Sequence, residues 1–87
     1  MHAIHLWSFP CKTNEKVILS ECAKCADENG DYEGQITHIL FKDEVKKNYE
    51  EAETWIREND KGWYDNLAIK YKEGRRIMWL VKFEYHC

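Results

Sequence analysis

The segment Ile77-Met78-Trp79-Leu80-Val81-Lys82-Phe83-Glu84-Tyr85 limits the possible folds more than any other part of this chain. Ile77, Trp79, Val81, Phe83 and Tyr85 share one face of an extended backbone, while Met78 and Leu80 make the opposite face apolar as well. A strand that is apolar on both sides in its middle belongs in the interior of a sheet. Upstream, Leu67, Ile69 and Tyr71 keep the same period of two, and the turn Lys72-Glu73-Gly74-Arg75 joins the two runs, so a hairpin closes the domain.

The remaining elements follow from changes of period. Residues 2 to 9 alternate Ile4 and Leu6 with His5, Trp7 and Phe9 and read as a strand ending near Pro10. Asn14 is placed to cap a helix over 15 to 29, with Ile18, Cys22 and Cys25 on one stripe and Leu19, Ala23 and Ala26 beside it, and Gly30 placed to end it. Gln35 to Phe41 is rich in β-branched and aromatic residues and is predicted as the second strand, with His38 at its centre. Asn48 and Glu51 form a capping box for a second helix over 48 to 60, although Asp43 offers an alternative cap for a start at Glu44. The order β-α-β-α-β-β predicts one α+β domain over residues 1 to 87. It is expected as a two-layer sandwich in which two helices pack a mainly antiparallel four-stranded sheet, with the place of the first strand beside the last left open.

Composition narrows the partners. The chain is 33% charged and 44% hydrophobic, too apolar for disorder and too charged for a membrane protein. No apolar run approaches a membrane span, and the first residues do not resemble a secretory signal. With thiols therefore expected to be reduced, a cytoplasmic location is the expectation for Cys11, Cys22, Cys25 and Cys87. A net charge of −3 argues against broad contact with phosphate backbones, so direct nucleic-acid binding is not expected; the basic hairpin around Arg75 and Arg76, alongside exposed aromatics, is the element that would contact RNA or single-stranded DNA.

Among chemical constellations, Cys22-Ala23-Lys24-Cys25 has the spacing of a zinc-ligand pair, and Cys11, His86 and Cys87 are the candidates to complete it. Both central cysteines nevertheless fall inside the predicted helix on its apolar stripe, where free cysteine packs as a small hydrophobe. A redox role requires the first cysteine at a helix start, and here about two turns precede it. No nucleophile elbow, glycine-rich phosphate loop or selected carboxylate pair is present, so the chain is expected to be non-enzymatic and to use no cofactor.

What remains is a surface. Asp31, Tyr32 and Glu33 fall in a polar loop, Glu50, Glu51 and Glu53 on the second helix, and Trp63 with Tyr64 just after Gly62. Tyrosine and tryptophan beside carboxylates make effective interface contacts, so these eight residues are the candidate partner-binding set.

Two segments, Gly62-Trp63-Tyr64-Asp65-Asn66-Leu67-Ala68-Ile69-Lys70-Tyr71 and Trp79-Leu80-Val81-Lys82-Phe83-Glu84-Tyr85-His86-Cys87, resemble a family of short uncharacterised proteins carried by phages and mobile elements of Gram-positive bacteria. In size, acidity and lack of a catalytic signature the chain is similar to anti-CRISPR proteins. The resemblance implies an inhibitor, acting in the host cytoplasm, that covers a site on a host defence protein such as a CRISPR effector, as a monomer or homodimer. The alternative is a small zinc-binding domain built on Cys22 and Cys25.

Overall fold

The computed structural model describes residues 2–29, 36–60 and 66–86. They form strand β1 (His2–Pro10), helix α1 (Glu15–Glu28), strand β2 (Leu40–Lys46), helix α2 (Tyr49–Asn59), strand β3 (Leu67–Glu73) and strand β4 (Arg76–His86). The fold is α+β, with the expected order and a four-stranded mixed sheet of order β1-β4-β3-β2. β4 pairs antiparallel with both β1 and β3, and β2 runs parallel to β3. The doubly apolar strand is thus interior, as its side-chain pattern requires.

Alternation along β4 divides the core. Trp79, Val81, Phe83 and Tyr85 join Phe9, Ala68 and the α1 residues Ile18, Cys22 and Ala26 on one face. Met78 and Leu80 join Ile69, Tyr71 and the α2 residues Ala52 and Ile56 on the other. The helices therefore lie on opposite faces, and the layers number three, helix-sheet-helix, where two were expected. Topology gives the reason. The connection from β1 through α1 to β2 crosses the sheet in one direction, and that from β2 through α2 to β3 returns. Two crossovers of one hand running in opposite directions must place their helices on opposite sides.

Local chemistry sets the boundaries. Asn14 Oδ1 accepts from the Lys16 amide at 2.8 Å and starts α1, and Asn48 Oδ1 accepts from the Glu51 amide at 2.9 Å and starts α2. Asp43 and Glu44, the alternative start, lie within β2 instead. A two-residue turn at Gly74-Arg75 joins β3 to β4, with Gly74 at φ +62°, a conformation glycine adopts without steric cost.

The second strand lies five residues later than expected. Ile36 and Ile39 are buried but spaced by three, so their intervening Thr37 and His38 are exposed and the segment 36–39 is irregular. His38 is thus exposed in that segment and not at the centre of a strand. β2 carries Lys42, Asp43, Glu44 and Lys46 and sits at the sheet edge with a bulge between Lys42 and Val45, so it has little apolar alternation to announce it.

Asn66 ties the irregular segment to the sheet. Its Nδ2 donates to the His38 carbonyl at 3.1 Å, its carbonyl accepts from the Leu40 amide at 2.9 Å, and its Oδ1 accepts from the Glu84 amide at 3.0 Å. Beside it, Lys82 and Glu84 are both buried. Lys82 Nζ donates to Glu84 Oε1 and, at 2.9 Å, to Asp60 Oδ1 at the end of α2. Sequence proximity groups Lys82 with a basic surface around Arg75, but its alternation partners put it inside.

Candidate partner-binding surface

α2 has three longitudinal faces. Ala52 and Ile56, one turn apart, are buried against β3 and β4. Glu53 and Arg57 follow the same spacing on one flank, where Arg57 Nη2 donates to Glu53 Oε1 at 2.6 Å. Glu51, Thr54 and Glu58 occupy the other flank, and Glu50, on the outward side between the two, borders the same groove; all four are exposed.

This last flank is the candidate surface. With Lys46, Asn48 and Trp55 it borders a shallow groove of about 380 Å³. A larger groove of about 620 Å³ lies between α2 and β2, lined by His38, Leu40, Lys42, Glu44, Trp55, Asn59, Asn66 and Leu67. Trp55 belongs to both and forms the ridge between them. It is half-buried, one side of its indole packed against the core residues of α2's face and the rest accessible. Such a side chain has already lost most of its rotational freedom, so a partner covering it immobilises little more.

The electrostatics are one-sided. Glu44 is matched by Lys46 at 3.2 Å, and Asp43 by Lys70 at 3.0 Å. Among the described residues, no ion pair engages Glu50, Glu51 or Glu58. Glu50 and Glu51 also sit in the first turn of α2, where the helix dipole favours negative charge, so part of their role is local. Glu58, near the other end, has no such local benefit.

The sequence-derived candidates are thus partly assembled. Glu50 and Glu51 both line the groove, Glu53 is paired with Arg57 on the other flank, and Asp31, Tyr32, Glu33, Trp63 and Tyr64 lie outside the described residues. Sequence reasoning overlooked Trp55 and Leu40. Trp55 adjoins Ile56 and follows Ala52 by three, which places it at the edge of the buried stripe, and that position is the signal for a residue that serves core and surface together.

Cys22 and Cys25 behave as packing residues. Cys22 is fully buried among the α1-side core, and burial first, then the neighbouring Cys25 and Glu21, push its thiol up from 9.0 to about 12. Metal ligation needs the thiolate, so this environment opposes it. Among the described residues no group of three or more His, Cys, Asp or Glu side chains is close enough to hold an ion. Of the other proposed ligands, Cys11 is exposed, and the side chains of His86 and Cys87 lie outside the described residues. No helix of the described chain is long and apolar enough to cross a membrane.

No protein-family model matches the chain, and no curated protein or solved structure matches it either.

Proposed function

We propose that the chain is a non-enzymatic binding protein that covers a basic, nucleic-acid-handling surface of a larger host protein, in the manner of an anti-CRISPR inhibitor of a defence complex. The observation that carries this reading is the half-buried Trp55 beside the carboxylates Glu50, Glu51 and Glu58 along one groove of α2, none of them engaged by an ion pair among the described residues. A site that evolved to hold phosphate presents lysine and arginine, and clustered carboxylates compete for those cations while an aromatic contact supplies apolar burial. Net charge of −3 adds long-range attraction to such a target. The resemblance of its C-terminal segments to phage-borne proteins directs the reading to host defence.

The test is inhibition of target cleavage by a purified CRISPR effector as the chain is titrated in. Stoichiometric inhibition is expected, weakening as salt rises. The triple variant Glu50→Lys, Glu51→Lys, Glu58→Lys is expected to lower affinity by at least about 100-fold, since each reversed charge turns attraction into repulsion. Reversal at Glu53 should matter far less because that residue lies on the other flank. Absence of inhibition across effector types, or indifference to the triple reversal, would remove this function or this face respectively.

A further inference from the structure

β1 and β2 are the two edges of the sheet, and they are built differently. β2 carries four charged residues and a bulge, both devices that keep a free edge from pairing. β1 has neither. Its nine residues, His2–Pro10, include no Lys, Arg, Asp or Glu in a chain that is one-third charged, and its pairing with β4 is regular throughout.

The hydrogen-bond phase of that edge is defined. The Cys11 amide donates to the Ile77 carbonyl at 3.0 Å, in line with the register that pairs Phe9 with Trp79 and Trp7 with Val81. In an antiparallel ladder this alternates, so Ala3, His5, Trp7 and Phe9 turn their backbone polar groups toward β4, and Ile4, Leu6 and Ser8 turn theirs outward. Pro10 is in the outward phase, where its missing N–H costs the sheet nothing. The same outward residues include two exposed apolar side chains, Ile4 at 61% and Leu6 at 42%. α2 is centred over β3 and leaves this strip uncovered, so that Ile4 and Leu6 form one wall of a groove completed by Ile56 and by two ion pairs, Glu53 with Arg57 and Asp60 with Lys82. On the other face Trp7 is 37% exposed.

We propose that β1 pairs with β1 of a second copy of this chain, antiparallel about a twofold axis at Leu6, to give a continuous eight-stranded sheet. Self-matching selects this occupant. About that axis the outward N–H groups of Ile4, Leu6 and Ser8 meet the outward carbonyls of the partner copy's own Ser8, Leu6 and Ile4, and the whole of β1 is in register from His2 to Pro10. Leu6 then abuts Leu6 of the partner copy on the α2 face, continuing the strip of Ile4 and Leu6 across the axis. On the α1 face Trp7 stands opposite the partner copy's His5, an aromatic cross-strand pair. Charge supports it too. Two chains of net charge −3 repel, and β1 is the strand through which they approach without opposing formal charges, while Glu53 and Arg57 at its margin already neutralise each other. β2 and the acidic flank of α2 stay at the far edges, so pairing leaves that flank open on both copies.

The test is sedimentation equilibrium of the full chain over a wide concentration range, with amide exchange followed residue by residue. The mass is expected to rise from 10.5 kDa to twice that value with concentration. Over the same range the amides of Ile4, Leu6 and Ser8 should become protected, whereas those of His5 and Trp7, already bonded to β4, should change little. Leu6→Lys, which sets two ammonium groups against each other on the axis, and Ile4→Pro, which deletes an outward donor, should each weaken association at least 100-fold while the circular dichroism of the monomer is retained. Val45→Lys on the opposite edge should leave association unchanged. A wild-type chain that stays monomeric at millimolar concentration would overturn the proposal and leave the edge to an extended segment of another protein. A dimer that keeps the Ile4, Leu6 and Ser8 amides unprotected would overturn it as well. Neither outcome bears on the acidic flank, whose test is inhibition.

Discussion

Lys82 and Lys70 are both lysines on neighbouring strands, and both form ion pairs, but their energetic weight differs greatly. Lys70 pairs with Asp43, whose side chain is 92% exposed, and such contacts contribute at most about 1 kcal/mol. Lys82 is 2% exposed and lies between Glu84, also buried, and Asp60. Lys82→Met is therefore expected to destabilise the fold by about 3–5 kcal/mol, because it removes the buried ammonium that both Asp60 and Glu84 engage, and Lys70→Met by less than about 1 kcal/mol. Urea unfolding of the two variants measures the contrast. Cys22 makes a pH-dependent contribution of the opposite kind. Its thiol titrates higher in the folded chain than in the unfolded one, so the native state holds the proton more tightly. Stability from this group is complete below about pH 9 and declines as pH rises toward about 12. The fall in thermal midpoint across that alkaline range should be shallower in Cys22→Ala, although that variant starts from a less well-packed core. Cys11, exposed, should be alkylated in the folded chain while Cys22 reacts only on unfolding.

At the scale of elements, helices are where local signals and final structure agree most closely. Asn14 and Asn48 both accept from amides of the first turn, and the helices begin where those caps predict. Asn48→Ala should cost about 1 kcal/mol and lower the thermal midpoint, whereas Asn48→Asp should be tolerated. The hairpin was equally legible, since Gly74 sits between two runs of period two. β2 was not. Its backbone pairing with β3 is a tertiary event that no side-chain alternation at 40–46 foretells, and the apolar pair Ile36 and Ile39 that imitates a strand is buried in an irregular segment held by Asn66. The candidate surface shows the same division. Glu50 and Glu51 are visible in the sequence as charges on a helix, but their separation from Glu53 depends on which stripe of α2 faces the sheet, and Trp55 takes its place because β2 lies beside it.

Across the whole molecule, the number of layers is a property of chain direction. Each helix is amphipathic on its own account, and neither carries a mark of the side it will take. The return of the second crossover across the sheet separates them, and only then do both faces of β4 have cover. The same route makes the interior of the sheet depend on sequence-distant partners: His5 meets Phe83, Trp7 meets Val81 and Phe9 meets Trp79. Such pairings carry a large loop-closure cost and form late. During synthesis, β1 leaves the ribosome before the other three strands and waits for β4, the last of the four to emerge. Until then α1 lacks the β4 face that it covers and α2 has only the β2-β3 pair beneath it, so translation through β4 completes the core on both sides, and an early stop inside that strand would yield a polypeptide fit only for proteolysis.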